Sequence, residues 1–270
     1  MTQAPAKGLR FPDLTVRIVS AVVLIGIALV DFWQGGLYVT LLVTLVTGLM
    51  LWEYRRIICV ELPLRDPALW AMVGAGGLCV MLTGGWSLGV GAAVLALGLV
   101  GVAALDRARV AWMVLGAAYI VLAMAFLVEL RRDPVQGFPL VLWLVCVVIA
   151  ADVGGYFAGR IIGGPKLWPK VSPNKTWAGT LGGMILALIV GVAFYVSGRV
   201  SLPMLVGLSA LMAVASQLGD LAESALKRKF GRKDSSSLIP GHGGLLDRFD
   251  GLLGALWAYG LLSVSGMLEV

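Results

Sequence analysis

SQLGDLAESALKRKFGRKDSSSLIPGHGGLLDRFDG, residues 216–251, is the most polar stretch of a chain that is otherwise close to hydrocarbon. It gathers Asp220, Glu223, Lys227, Arg228, Lys229, Arg232, Lys233, Asp234, the single histidine His242, Asp247, Arg248 and Asp250. Around it, the 270 residues are 59% hydrophobic and 13% charged. A soluble domain is nearer half apolar and a quarter charged. The composition therefore predicts an all-α, polytopic integral membrane helix bundle that holds this stretch at a membrane surface. At about 20 residues per crossing, the length leaves no room for a sizeable soluble domain.

Working outward, apolar runs at about 16–32, 37–51, 68–82, 88–105, 110–128, 140–158, 177–196, 202–221 and 252–267 predict about nine transmembrane helices. Charge tests this map independently. Alternate connections, counted from the N-terminus, carry 18 of the 21 basic residues, from Lys7 and Arg10 to the 227–248 cluster. Arg131, Arg132 and Arg199 fall on the other side. The bias predicts a cytoplasmic N-terminus and cytoplasmic polar loops, with the C-terminus outside. Residues 1–14 do not read as a cleavable signal. The expected division is 1–135, membrane helices forming a scaffold, and 136–270, a catalytic membrane region with two polar loops.

Within the opening stretch, Asp220, Glu223, Ser224, Lys227 and Arg228 recur at i, i+3, i+4, i+7 and i+8, one face of a helix. Pro240 to Gly244 then breaks the helix. Asp247 and Asp250 follow at i, i+3. Carboxylates on two helix ends suit Mg²⁺, which takes one or two carboxylates together with substrate phosphates. Clustered Lys and Arg suit a polyphosphate, and a glycine-rich turn lets backbone N–H groups approach phosphate oxygens. The plainer reading is a basic cytoplasmic loop held by an anionic leaflet. Asp220 weighs against it, because a carboxylate following Leu211-Met212-Ala213-Val214-Ala215 is costly unless it has a function.

A second polar cluster follows the sixth apolar run. Asp152, Tyr156 and Arg160 share a helical face at i, i+4, i+8, either as part of a site or as an Asp–Arg pair joining helices. Ser172-Pro173-Asn174-Lys175-Thr176 opens the seventh span. It reads as an anion site at a helix N-terminus, or as an N-cap with an interfacial Lys-Trp anchor. The charge map places both clusters on the cytoplasmic side. There is no phosphate-binding P-loop motif, no histidine cluster for zinc and no nucleophile elbow for a serine hydrolase. His242 either contacts phosphate or orders its turn. Cys59, Cys79 and Cys146 are scattered through apolar runs and predict no disulfide framework.

The run 224–250 resembles the signature of phosphatidate cytidylyltransferases, the CDP-diacylglycerol synthases. Ser224, Lys227, Arg228, Lys233, Asp234, Pro240, His242, Gly243, Gly244, Asp247, Arg248 and Asp250 stand at that family's positions. SQLGDLAES (216–224), DVGGYFAGR (152–160) and SPNKTWAG (172–179) are also similar to it. Asn174, Ala178 and Gly251 depart from residues common there (lysine, glutamate and serine). The resemblance implies that CTP and phosphatidic acid react to give CDP-diacylglycerol and pyrophosphate in phospholipid biosynthesis. It implies Mg²⁺, alone or with a second cation, on Asp220 and Asp247 with Asp250. Lys227, Arg228 and Lys233 would hold phosphates. Ser172, Lys175 and Thr176 would contact nucleotide phosphate or lipid headgroup, with Asp152, Arg160, Asn174, Ser224, Asp234, Gly243, Gly244 and Arg248 as further binding residues and His242 among the catalytic ones. It also implies a bacterial-type inner membrane, surrounding lipids and a homodimer as partners, and no nucleic acid. Two alternatives stand beside it: a CTP-dependent lipid kinase of the polyprenol type, and an anionic-solute transporter using Asp152 and Asp220.

Overall fold

The computed structural model describes residues 11–59, 63, 65–195, 202–239 and 243–267. Among them the chain forms nine α-helices: α1 (Phe11–Gln34), α2 (Gly36–Ile58), α3 (Pro67–Gly85), α4 (Leu88–Leu105), α5 (Val110–Arg131), α6 (Gly137–Ile161), α7 (Trp177–Tyr195), α8 (Leu202–Lys229) and α9 (Leu246–Val264). Seven of the helical segments are long and apolar enough to cross a bilayer. The two outside that set are α1, whose described apolar part is Ile25–Gln34, and α9, which opens on Asp247, Arg248 and Asp250. Helix is the expected solution in lipid because it satisfies every backbone polar group within one segment. Where a helix starts in a polar setting, a side chain supplies the missing acceptor. Asp66 accepts the Leu69 N–H at 2.8 Å, with Pro67 at the first helical position, and Ser87 accepts the Val90 N–H at 3.3 Å.

One element was not legible as such. The polar segment between α6 and α7 folds into an antiparallel hairpin, β1 (Lys166–Trp168) with β2 (Ser172–Thr176), pairing Lys166 with Thr176 and Trp168 with Ser172. Helix α8 also runs to Lys229, well past the apolar run that ends near residue 221. Alanine, glutamate, leucine, lysine and arginine are strong helix formers, and Lys227, Arg228 and Lys229 sit favourably at the negative end of the helix dipole.

The packing places the charges at two ends of the bundle. At one end, Arg55 of α2 donates to Asp66 at 2.8 Å and to Asp106, in the α4–α5 connection, at 2.9 Å. Burial works against ionisation of Asp66, but the Leu69 N–H and the Arg55 guanidinium together hold its carboxyl below the usual range. Lys229 of α8 lies over the Trp112 ring of α5 at 4.2 Å. At the other end, Arg131 donates to the carbonyls of Phe32 (2.5 Å) and Trp33 (3.1 Å), and Arg132 to that of Trp86. Two of the three basic residues assigned to the minor side thus meet the α1–α2 and α3–α4 turns, as alternation requires; Arg199 lies outside the described residues.

Met50 and Leu51 of α2, Met113 and Ile120 of α5, Leu144 of α6, Met212 of α8 and Leu253 of α9 are fully buried at the centre. Leu97, Leu115, Ile161 and Leu261 point outward, as a lipid-facing surface requires. The tightest seam is between α6 and α7. A Cβ on Gly154 would lie 2.7 Å from the Gly182 carbonyl, and one on Gly183 would strike the Ala151 carbonyl. Only glycine admits this backbone approach. It sets the wall of the cavity described next.

Candidate active site

The α6–α7 pair and α8 enclose a polar cavity of about 650 Å³, within the range of small-molecule sites. Asp152, Tyr156 and Arg160 reach it from α6, Lys166 and Asn174 from the hairpin, and Gln217 and Asp220 from α8. The three α6 residues line one wall, as their spacing predicts. Arg160 turns to Tyr156, donating to its hydroxyl at 3.0 Å, and not to Asp152. Lys175, at the end of β2, pairs with Asp220 at 2.5 Å. Ser224 donates to the other oxygen of Asp220 at 3.3 Å. Ser172 and Asn174 precede Lys175 on the same strand, and Asn174 lines the cavity. Thr176 is buried, and its hydroxyl accepts the Gly179 N–H at 3.1 Å, so it caps α7 at the floor of the cavity. The two polar segments, remote in sequence, therefore meet through Lys175 and Asp220.

The helical face read from α8 divides into two seams. Asp220 and Ser224 turn toward α7 and the hairpin, while Glu223 and Lys227 turn toward α9. Lys227 Nζ lies 2.7 Å from Asp247 Oδ1 and 3.2 Å from Glu223 Oε2. The Asp247 carboxylate also accepts the Ser235 N–H (3.0 Å), the Ser235 hydroxyl (2.9 Å) and the Gly244 N–H (3.0 Å). The Gly244 N–H is thus spent on Asp247 instead of facing a phosphate, which differs from the role expected of the glycine turn. Gly243 sits at φ +86° and its carbonyl accepts the Ile239 N–H at 2.9 Å. Gly244 must be glycine, since a Cβ there would strike the Ser235 hydroxyl and lie 2.9 Å from Glu53 Oε1. Arg228 donates to the Arg232 carbonyl at 3.3 Å, and Lys233, Asp234 and Arg248 are exposed around this end. His242 lies outside the described residues.

Asp152, Asp220 and Asp250 stand close enough to repel one another, and Glu223 lies beside Asp250. The cation beside Glu223 is Lys227, 3.2 Å from Oε2. Among the described residues no three carboxylate, histidine or cysteine groups converge into a ready-made metal cage. The donor set nevertheless suits Mg²⁺: several hard oxygens, a surplus of negative charge over Lys175 and Lys227, and a cavity in which phosphates can complete the shell. The carboxylates are not equivalent. Asp247 already has donors on both oxygens, so it ligates a metal only by releasing Lys227 or Ser235. On the far side of α8, an apolar cleft of about 410 Å³ runs between α5 and α8, with Glu223 and Asp250 on its wall and Trp112 and Lys229 among its lining.

Sequence reasoning missed Glu53. It is wholly buried on α2 and accepts the Leu245 N–H at 2.9 Å and the Leu246 N–H at 2.6 Å. The available signal was a lone acid in an apolar helix, in Leu51-Trp52-Glu53-Tyr54.

Comparison with known proteins accords with this arrangement. Residues 15–264 match the model of the cytidylyltransferase family. The chain is 37% identical to a phosphatidate cytidylyltransferase of Brucella suis biovar 1 (strain 1330) over 248 residues, 90% of each chain. It is 40% identical over 147 residues to the phosphatidate cytidylyltransferase of Bacillus subtilis (strain 168), covering 54% of this chain and 55% of that one. A Staphylococcus aureus (strain COL) protein of the same name is 39% identical over 145 residues, 53% of this chain and 55% of its own. With motif residues from α6, β2, α8 and α9 gathered at one end of a membrane helix bundle and the match running nearly end to end, this chain belongs to the cytidylyltransferase family.

Proposed function

We propose that the protein transfers the cytidylyl group of CTP to phosphatidic acid, giving CDP-diacylglycerol and pyrophosphate. The observation that carries this is the meeting of the two polar segments. Lys175 and Asp220 join a basic hairpin to a carboxylate-bearing helix at the rim of one cavity. The family and its relatives named phosphatidate cytidylyltransferase support the same substrates.

The lipid phosphate is already an anionic nucleophile. Its oxygen attacks the α-phosphorus of CTP, a new P–O bond forms, and the bond to the β-phosphate oxygen breaks to release pyrophosphate. No strong general base is required. The difficulty is to bring two anions together and to stabilise the leaving group, which calls for positioning and positive charge. Lys175 and Lys166 hold phosphate at the hairpin side of the cavity. Lys227, Arg228 and Lys233 hold it at the α8–α9 side, and Arg160 closes the α6 wall. Ser172, Asn174 and Ser224 orient the same groups, with Asp234, Gly243, Arg248 and His242 shaping the surrounding loop. Asp220 and Asp250 would hold Mg²⁺, with Asp247 available only on rearrangement. Bound there, Mg²⁺ would neutralise phosphate oxygens. The apolar cleft beside Trp112 takes an acyl chain and keeps it in the bilayer while the headgroup reaches the polar end. This reading carries nine crossings, a cytoplasmic N-terminus and active site, an inner-membrane location and a homodimer. It also carries a scaffold over 1–135 with the catalytic residues in 136–270.

The test uses protein purified in detergent, phosphatidic acid, Mg²⁺ and CTP labelled separately at the α- and γ-phosphates. α-Label in a chloroform-soluble product, lost in Asp220→Asn, is expected. γ-Label in the lipid would make the protein a kinase. An absence of lipid labelling by folded protein would favour solute transport.

A further inference from the structure

We infer that Glu53, on α2 in the N-terminal half, is a positioning residue for the Lys227–Asp247 pair. The inference rests on the cytidylyl-transfer reading above. Glu53 is 0% exposed, and among the described residues no cation forms an ion pair with it. Four neutral donors hold its carboxylate instead. Two are the Leu245 and Leu246 N–H groups at the start of α9, where a negative charge also meets the positive end of the helix dipole. The other two are hydroxyls of the α8–α9 connection: Ser236 at 2.5 Å and Ser235 at 3.3 Å.

Ser235 links this carboxylate to the site. Its hydroxyl lies between Glu53 Oε2 and Asp247 Oδ2, with the shorter contact to Asp247 at 2.9 Å. Its single proton serves one acceptor at a time, so the two carboxylates share one donor. The Ser235 N–H donates to Asp247 as well. Gly244 passes between the same groups with no space for a Cβ, and its N–H is the next donor to Asp247. Asp247 in turn fixes Lys227 Nζ at 2.7 Å. Glu53 thus grips Ser235 and Ser236 on one side and Leu245 and Leu246 on the other, beside the Ser235 and Gly244 groups that orient Asp247, and it does so from a helix more than 180 positions away. The N-terminal half is therefore part of the catalytic geometry. A misplacement of about 1 Å in a positioned group costs on the order of 100-fold in rate.

Glu53→Gln keeps the volume but presents an amide nitrogen to donors that need an acceptor. The experiment measures kcat and KM for CTP per folded molecule in wild type, Glu53→Gln, Asp247→Asn and the double variant, with Glu129→Gln as a remote surface control. The expected result for Glu53→Gln is a kcat lower by about 100-fold with KM within about threefold. In the Asp247→Asn background the same change is expected to have little further effect. An unchanged kcat, a defect confined to KM, or a full additional loss on top of Asp247→Asn would overturn the inference. If Glu53→Gln does not fold, Ser236→Ala removes one contact from the loop side and leaves α2 intact. A kcat lower by about tenfold is then expected, and an unchanged kcat would overturn the inference. Amide exchange of residues 235–246 supplies a readout independent of turnover. Faster exchange at Leu245 and Leu246 in Glu53→Gln supports the grip, and unaltered exchange overturns it. An inactive wild type would instead overturn the reaction assignment, and the exchange data would still decide the grip.

Discussion

Asp247→Asn tests whether the Lys227–Asp247 pair is the unit that organises the polar ends of α8 and α9. Lys227 Nζ sits 2.7 Å from Asp247 and 3.2 Å from Glu223, and its side chain is 11% exposed. Asparagine preserves the shape, removes the charge and leaves Ser235 or Gly244 facing an amide nitrogen. Breaking a buried ion pair by removing one partner costs about 3–5 kcal/mol, because the other charge is stranded. Glu223 remains as a counter-charge, so the lower end, about 3 kcal/mol, is expected. Lys227→Met leaves Asp247 with neutral donors only and is expected to cost about 2 kcal/mol. The double variant Lys227→Met/Asp247→Asn strands neither charge of the pair. Its cost should therefore fall short of the sum by about 1–2 kcal/mol. Tryptophan-fluorescence melts of the four proteins in one detergent measure this. At roughly 2–4 °C per kcal/mol for a chain of this size, Asp247→Asn lowers the midpoint by about 6–12 °C, and the double variant, at about 3–4 kcal/mol, by about 6–16 °C and by less than the two single shifts added together. A double-variant shift equal to the sum of the singles would refute the pairing argument.

Three further outcomes are expected. Gly183→Leu forces a side chain into the Ala151 carbonyl at the α6–α7 seam, so stability falls by about 3 kcal/mol and lipid labelling is lost; an active variant with the wild-type melting point would show that the seam does not set the cavity. Asp66 has its carboxyl held low, so its contribution to stability is present above about pH 4 and disappears as pH falls through the lower folded value. Melting points of wild type and Asp66→Asn should differ most at pH 6, with the gap narrowing as pH is taken progressively below about 4, and a gap that never narrows on acidification would count against the Arg55–Asp66 pairing. Chelation with EDTA should abolish transfer, Mg²⁺ should restore it, and Asp250→Asn should need more Mg²⁺ than wild type for half-maximal rate; EDTA-resistant turnover would remove the metal from the reaction.

What could be read along the chain depended on how local the physics was. The spacing of Asp152, Tyr156 and Arg160 placed them on one face because a helix repeats every 3.6 residues, and all three line the cavity. The alternating basic connections anticipated which turns meet at each end of the bundle, as Arg55 and Arg131 illustrate. The polarity of the segment after α6 predicts a loop that runs into a helix N-terminus. It forms a hairpin because Lys166 and Thr176 can pair only once α6 and α7 are held close by their glycines. Helical spacing predicts one continuous face on α8, yet two different neighbours divide it: β2 takes Asp220 and α9 takes Lys227.

An apolar helical chain with its carboxylates and basic groups concentrated in two polar segments is legible from the order of residues alone. Both features follow from hydropathy, charge and helical periodicity, which act over one turn or one membrane thickness. Which carboxylate meets which donor emerges from the packing of the helices. Lys175 chooses Asp220, Asp247 is enclosed by Lys227, Ser235 and Gly244, and Glu53 holds the loop that carries Ser235. Those pairings depend on how whole helices pack, and residues far apart in the chain have no local periodicity that could announce them.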